Sequence, residues 1–209
     1  MAKKNIELSL VSVALATPGT SKKKETRHAV TASLVWPRLS VARKESALPC
    51  TLVKGAADLS SAPWHETVLF KESVEGTFGL KASVSEPLSN AALDSFLRLF
   101  TGIFLKDIGS LLGKSDLVLS DILSATFTTA SRKSGSAGAT NPVAEGALTL
   151  DAAALRDGDL LEIPLFAPRA LSETTVSSSP SGRGTEPSSR SLLRKGAPNG
   201  SLTVRVHLI

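Results

Sequence analysis

The 209-residue chain has one cysteine, Cys50, and three histidines, at positions 28, 65 and 207. A lone cysteine excludes an intrachain disulfide and a multi-cysteine zinc site, and scattered histidines give no support to a histidine-rich metal site. Tyrosine is absent and aromatics are few, with seven Phe and two Trp. No apolar run is long enough to span a bilayer, because the best stretch, residues 96–105, is short and contains Arg98. No Gly-x-Ser-x-Gly elbow occurs, so a hydrolase of that type has no basis. The segment Gly109-Ser110-Leu111-Leu112-Gly113-Lys114-Ser115 has three residues between its glycines, where a phosphate loop needs four. It also closes a helical pattern instead of opening one, so Gly113 reads as a helix end and Ser115 as a new cap.

What is present is a 42% hydrophobic, 21% charged chain that can bury a core. The net charge of +5 is unevenly placed. Residues 1–50 hold nine Lys or Arg against Glu7, Glu25 and Glu45, a balance of +6, so the remainder is close to neutral. The densest part is Lys22-Lys23-Lys24 with Arg27. A basic patch of this kind favours polyanions: phospholipid headgroups, nucleic acid or an acidic protein. Nucleic-acid binding ranks last of the three, since no aromatic is interleaved with the lysines for base stacking.

The N-terminus has Lys3 and Lys4 before an apolar stretch and Ala14-Leu15-Ala16 after it, which imitates a secretion signal. Glu7, Ser9 and Ser12 interrupt that stretch in strict alternation with Ile6, Leu8 and Leu10, then with Val11, Val13 and Leu15. The pattern predicts a strand over residues 6–16 with a bulge at Leu10-Val11, and points to a cytoplasmic protein. A turn at Thr17-Pro18-Gly19 and a polar loop over 20–27 precede a second strand ending at Pro37. A short third strand falls near 50–54. Residues 64–70 and 78–85 read as two antiparallel strands joined at Glu75-Gly76.

From Pro87 the period changes. Leu93, Phe96, Leu97, Phe100, Phe104, Ile108 and Leu111 specify an amphipathic helix capped by Ser89 or Asn90, and a weaker helical pattern continues to Phe127. Three more strands are expected at 146–150, 159–166 and 201–209, with turns at Asp157-Gly158 and Asn199-Gly200. The Ser/Pro-rich stretch 167–200 reads as a flexible loop, where Ser179 and Ser191 would be open to modification. Asn199-Gly200-Ser201 matches the glycosylation pattern, which matters only in a secreted chain. The expected architecture is a mainly β, single-domain antiparallel β-sandwich spanning 1–209, with a helical insertion at about 89–127.

No catalytic constellation emerges. Cys50 has only His65 near it along the chain, His65 and His207 sit on outer strand positions, and Asp157 and Asp159 flank a turn glycine. The chain is therefore expected to be non-catalytic, with no cofactor and no small-molecule substrate.

In order, these features resemble a C2 domain. Trp64-His65-Glu66-Thr67-Val68-Leu69-Phe70 is similar to that family's W-x-E-x-x-x-F strand, and Gly200-Ser201-Leu202-Thr203-Val204-Arg205-Val206 to its closing G-x-L-x-V-x-V strand. Residues 6–16, 80–85, 155–158 and 161–165 resemble its opening strand, the strand before its third loop, and its late turn and strand. The resemblance covers about half of the chain. Calcium-binding members supply several aspartates from two loops, because Ca²⁺ takes six to eight oxygen ligands. Here the first loop holds Lys22, Lys23, Lys24 and Glu25, and the third only Glu86, Asn90 and Asp94. The resemblance thus implies a calcium-independent module that acts through contacts with phospholipid or protein; the basic loop points to docking on an acidic surface, an anionic membrane, through Lys22, Lys23, Lys24 and Arg27. The alternative is a protein-interaction module that offers the helical stripe from Asn90 to Leu112 to a partner.

Overall fold

The computed structural model describes residues 3–21, 23–37, 44–94, 96, 141–177 and 186–209, with the backbone alone for 173–177 and 186–190. Eleven strands occur among them: β1 (Lys3–Leu15), β2 (Glu25–Val35), β3 (Lys44–Val53), β4 (Ala56–Asp58), β5 (Val68–Glu75), β6 (Thr77–Ser85), β7 (Pro142–Asp151), β8 (Leu160–Phe166), β9 (Leu171–Ser177), β10 (Glu186–Leu193) and β11 (Pro198–Leu208). One helical turn, α1 (Trp64–Thr67), precedes β5.

The architecture is a closed antiparallel barrel, which corrects the expected sandwich with a helical insertion. Eight strands follow one another around the ring, β1-β11-β8-β7-β6-β2-β3-β4, and β4 returns to β1. Closure depends on β1, which is hydrogen-bonded along both edges. One edge takes β11; the other is shared by β5, from Lys3↔Glu75 to Ser9↔Val68, and β4, from Ser12↔Asp58 to Ala14↔Ala56. Inward-pointing alternation is the same in a sandwich and a barrel, so the pattern of apolar residues does not distinguish them; the choice of edge partners does.

β1 folds as its alternation requires. Ile6, Leu8 and Leu10 point inward, the register shifts between Leu10 and Ser12, and Val13 and Leu15 resume the inward positions. The predicted bulge is therefore present, and the Val11 carbonyl it turns outward accepts the Leu59 N–H at 2.7 Å. The core joins these residues to Leu34, Leu52, Phe78, Leu80, Ile163 and Val204, all essentially without exposure.

Several local expectations change. Residues 64–67 form α1 in place of the start of a strand: Pro63 brings no N–H, its carbonyl accepts from the Glu66 N–H, and Thr67 Oγ1 donates to the Trp64 carbonyl at 3.1 Å. The Trp64 indole N–H donates to Glu7 Oε1 at 2.7 Å, so α1 lies over the outer side of β1. Gly76 (φ 64°) is a corner, not a hairpin turn, since β5 pairs with β1 while β6 pairs with β2 and β7. Asn199 and Gly200 lie inside β11. The stretch expected as a flexible loop contains the β9–β10 hairpin, anchored by the buried Leu171 and by Leu192 and Leu193 against the core. Of the expected helical insertion, residues 90–94 and 96 are helical and the remainder to 127 lies outside the described residues. Ser89 Oγ accepts the Ala92 N–H at 3.3 Å, the cap its position predicts.

Candidate functional site

The lysine loop leaves β1 from a fixed point. Asn199 is wholly buried, and its side chain grips both backbone polar groups of Thr17: the Thr17 N–H donates to Oδ1 at 2.8 Å, and Nδ2 donates to the Thr17 carbonyl at 3.1 Å. The same Nδ2 donates to the Val143 carbonyl at 2.9 Å, tying the loop to β7. Both amide hydrogens are thus used, as a buried amide requires. Further on, Gly19 (φ 131°) packs so closely on Pro87 that a Cβ would lie 2.6 Å from its Cδ. Lys23 and Lys24 follow, both exposed. Lys22 lies outside the described residues.

A second loop meets the first. Val53 and Ala56 pair across a two-residue turn, Lys54-Gly55, whose φ values of 53° and 86° are both positive. That geometry suits Asn-Gly, and a lysine in it costs about 1 kcal/mol. The turn is braced on both sides: the Lys54 N–H donates to the Lys24 carbonyl at 2.7 Å, and the Leu15 N–H donates to the Gly55 carbonyl at 2.7 Å. Lys54 is exposed, so Lys23, Lys24 and Lys54 stand together at one end of the barrel, beside the exposed Glu25. By its sequence pattern Lys54 closes a strand; the Lys-Gly dipeptide between two apolar segments is the available sign of a turn.

Arg27 belongs to β2, not to the loop. Its guanidinium Nη1 donates to Asn90 Oδ1 at 3.0 Å and its carbonyl accepts the Leu88 N–H at 2.7 Å, which holds the start of the helical segment against β2. Leu93 and Phe96 from that segment pack on Ala29, with Leu88 and Ala47 alongside. These two positions of the apolar stripe are covered by the chain's own sheet.

The oxygen-bearing side chains of the expected third loop are already engaged or dispersed. Glu86 is paired with Arg169, the Asn90 oxygen accepts from Arg27, and Asp94 points to solvent on the helical segment. Among the described residues, no three His, Cys, Asp or Glu side chains cluster as a metal site would require.

The nucleophile and base candidates are likewise placed. His28, not His65, is the cross-strand neighbour of Cys50. His28 is wholly buried; Nδ1 lies 2.8 Å from the Ser85 carbonyl, which can only accept, so Nδ1 carries the proton. Nε2 then accepts from Thr26 Oγ1 at 2.8 Å. Burial lowers the His28 pKa, opposed by the bond to Ser85. Burial also pushes the Cys50 thiol up to about 11. A protonated thiol beside an imidazole whose nitrogens both serve other partners is a packing arrangement. His65 is exposed with Nε2 3.7 Å from Glu66, and His207 Nδ1 lies 3.7 Å from Asp157.

No protein-family model matches the chain, and no curated protein matches it either. Among the described residues, no helix is long and apolar enough to cross a membrane.

Proposed function

We propose that this protein is a non-catalytic, calcium-independent interaction module that docks peripherally on an anionic, cytoplasm-facing membrane surface through Lys22, Lys23 and Lys24, joined by Lys54. The observation that carries this reading is the hydrogen bond from the Lys54 N–H to the Lys24 carbonyl, which makes two lysine-bearing loops one unit. Several lysines held at one end of a rigid barrel keep the ordering cost of binding low. Each contributes about 1 kcal/mol near an anionic bilayer, enough for weak attachment that salt screens. The mode of action is the one the C2 resemblance implies, but it rests on the lysines and not on the fold, since the closed barrel departs from that family's sandwich. Arg27 supports the site indirectly, by fixing the helical segment to β2. Use of the helical stripe by a partner protein is less favoured, because Leu93 and Phe96 are packed on Ala29.

Co-sedimentation with phosphatidylcholine vesicles, with and without phosphatidylserine, tests the proposal. The wild-type chain is expected to pellet only with the anionic vesicles, to be released by added salt, and to lose binding in the Lys22/Lys23/Lys24→Glu variant. Retention of both proteins in the supernatant at low salt would overturn it.

A further inference from the structure

We infer that the turn formed by Val53, Lys54 and Gly55 enters the lipid, with Val53 inserting between headgroups while Lys54 and Lys24 hold the phosphates. This rests on the membrane reading and adds to it the element that penetrates. Val53 ends β3 immediately after the wholly buried Leu52, yet is itself 55% exposed. It is thus an apolar side chain presented outward at the basic end of the barrel, next to Lys54.

Two backbone polar groups of this tip are paired within the protein. Unpaired N–H and C=O groups make immersion in an apolar medium costly. Here the Lys54 N–H is bonded to the Lys24 carbonyl and the Gly55 carbonyl to the Leu15 N–H. The tip is also rigid: a Cβ on Gly55 would stand 2.5 Å from the Leu15 carbonyl oxygen, so the turn is seated directly on the end of β1. Long lysine stems can lie along the apolar layer while their ammonium groups stay at the headgroups. The left-handed conformation of Lys54 points the same way, since Asn or Gly would satisfy the turn without strain and would leave no charge there.

A polarity-sensitive nitrobenzoxadiazole probe on Val53→Cys tests the inference. Cys50 is buried, so the wild-type chain serves as the labelling control, and the same probe on Thr149→Cys, exposed on β7, serves as the positional control. With phosphatidylserine-containing vesicles, emission from position 53 is expected to move to the blue and rise several-fold, while the probe at position 149 stays unchanged. Because Val53 is exposed, Val53→Ser should remain folded by circular dichroism and bind these vesicles about tenfold more weakly, the loss expected for one aliphatic side chain. If the labelled protein pellets with the vesicles but its position-53 emission remains that of water, the inference fails and the membrane reading stands. If the wild-type chain does not pellet at all, both fail.

Discussion

β1 and β11 run together from Ile6↔Leu208 to Leu15↔Gly200, interrupted only by the bulge, whereas β7 and β8 meet at a single register pair, Glu145↔Phe166. The first seam is a ladder in which backbone hydrogen bonds and inward side chains act together. The second is a crossing held mainly by packing. Its thinness has a chemical cause. A Cβ on Gly146 would lie 2.1 Å from the Pro164 carbonyl oxygen, so that carbonyl faces β7. In an antiparallel strand the N–H of a residue points the same way as its carbonyl, and proline has none to give. Ile163 and Leu165 close over Gly146 instead. A barrel can thus be completed by one long ladder and one short crossing, provided a glycine lets the crossing strands approach.

Substitutions at the two close-approach glycines separate the roles of ladder and crossing. The largest effect is expected at Gly200→Ala. There φ is 117°, and a Cβ would stand 1.9 Å from the Ala14 carbonyl, with no flexible side chain to yield. Chemical denaturation should show a loss of more than about 3 kcal/mol, because the strain falls on the ladder itself. Gly146→Ala should cost less, about 2 kcal/mol, since β7 and β8 can separate slightly while giving up few hydrogen bonds. If the order of the two losses is reversed, the crossing and not the ladder holds the barrel closed.

The smallest effect is in the pH dependence. His28 joins β2 to the end of β6 and is held below its ordinary value of 6.5 by burial. Between the folded and unfolded pKa values the unfolded chain binds more protons, so the contribution is fully present above pH 6.5 and is lost as pH falls from there through the folded value. The slope should not exceed about 1.4 kcal/mol per pH unit, one proton's worth. It should be absent in His28→Gln, as measured by denaturant midpoints across that range. Amide exchange should rise in β2 and β6 before β1 and β11, which would place the acid-sensitive region away from the ladder.

The alternation of β1 disclosed its inward residues and even its bulge, because each step of a strand reverses the facing of a side chain. Phe78, Leu80, Ala82 and Val84 on β6 were legible for the same reason. Closure was not, since the ring is made by distant edges that leave no local mark. Trp64 looked like a strand residue by composition, but Pro63 before it and the threonine hydroxyl after it favoured a helical turn. Asn199-Gly200 looked like a turn by residue type; burial of the amide and the close approach to Ala14 explain why these residues occur in a strand. At the candidate site the lysine run was plain in the sequence, while Lys54 joined it only through pairing of β2 with β3.

The pairing of β1 with β11 also sets a condition on synthesis. Residues 6–15 emerge long before their partners, 200–208. Until then, the strand that carries Ile6, Leu8 and Leu10 lacks the neighbour along one whole edge, and the ring cannot close. Contacts this distant in sequence slow folding and lengthen the time for which an apolar edge is open to other chains. Refolding of this barrel should accordingly be slow for its size and sensitive to protein concentration, with the fault line running along the β1 edge that awaits β11.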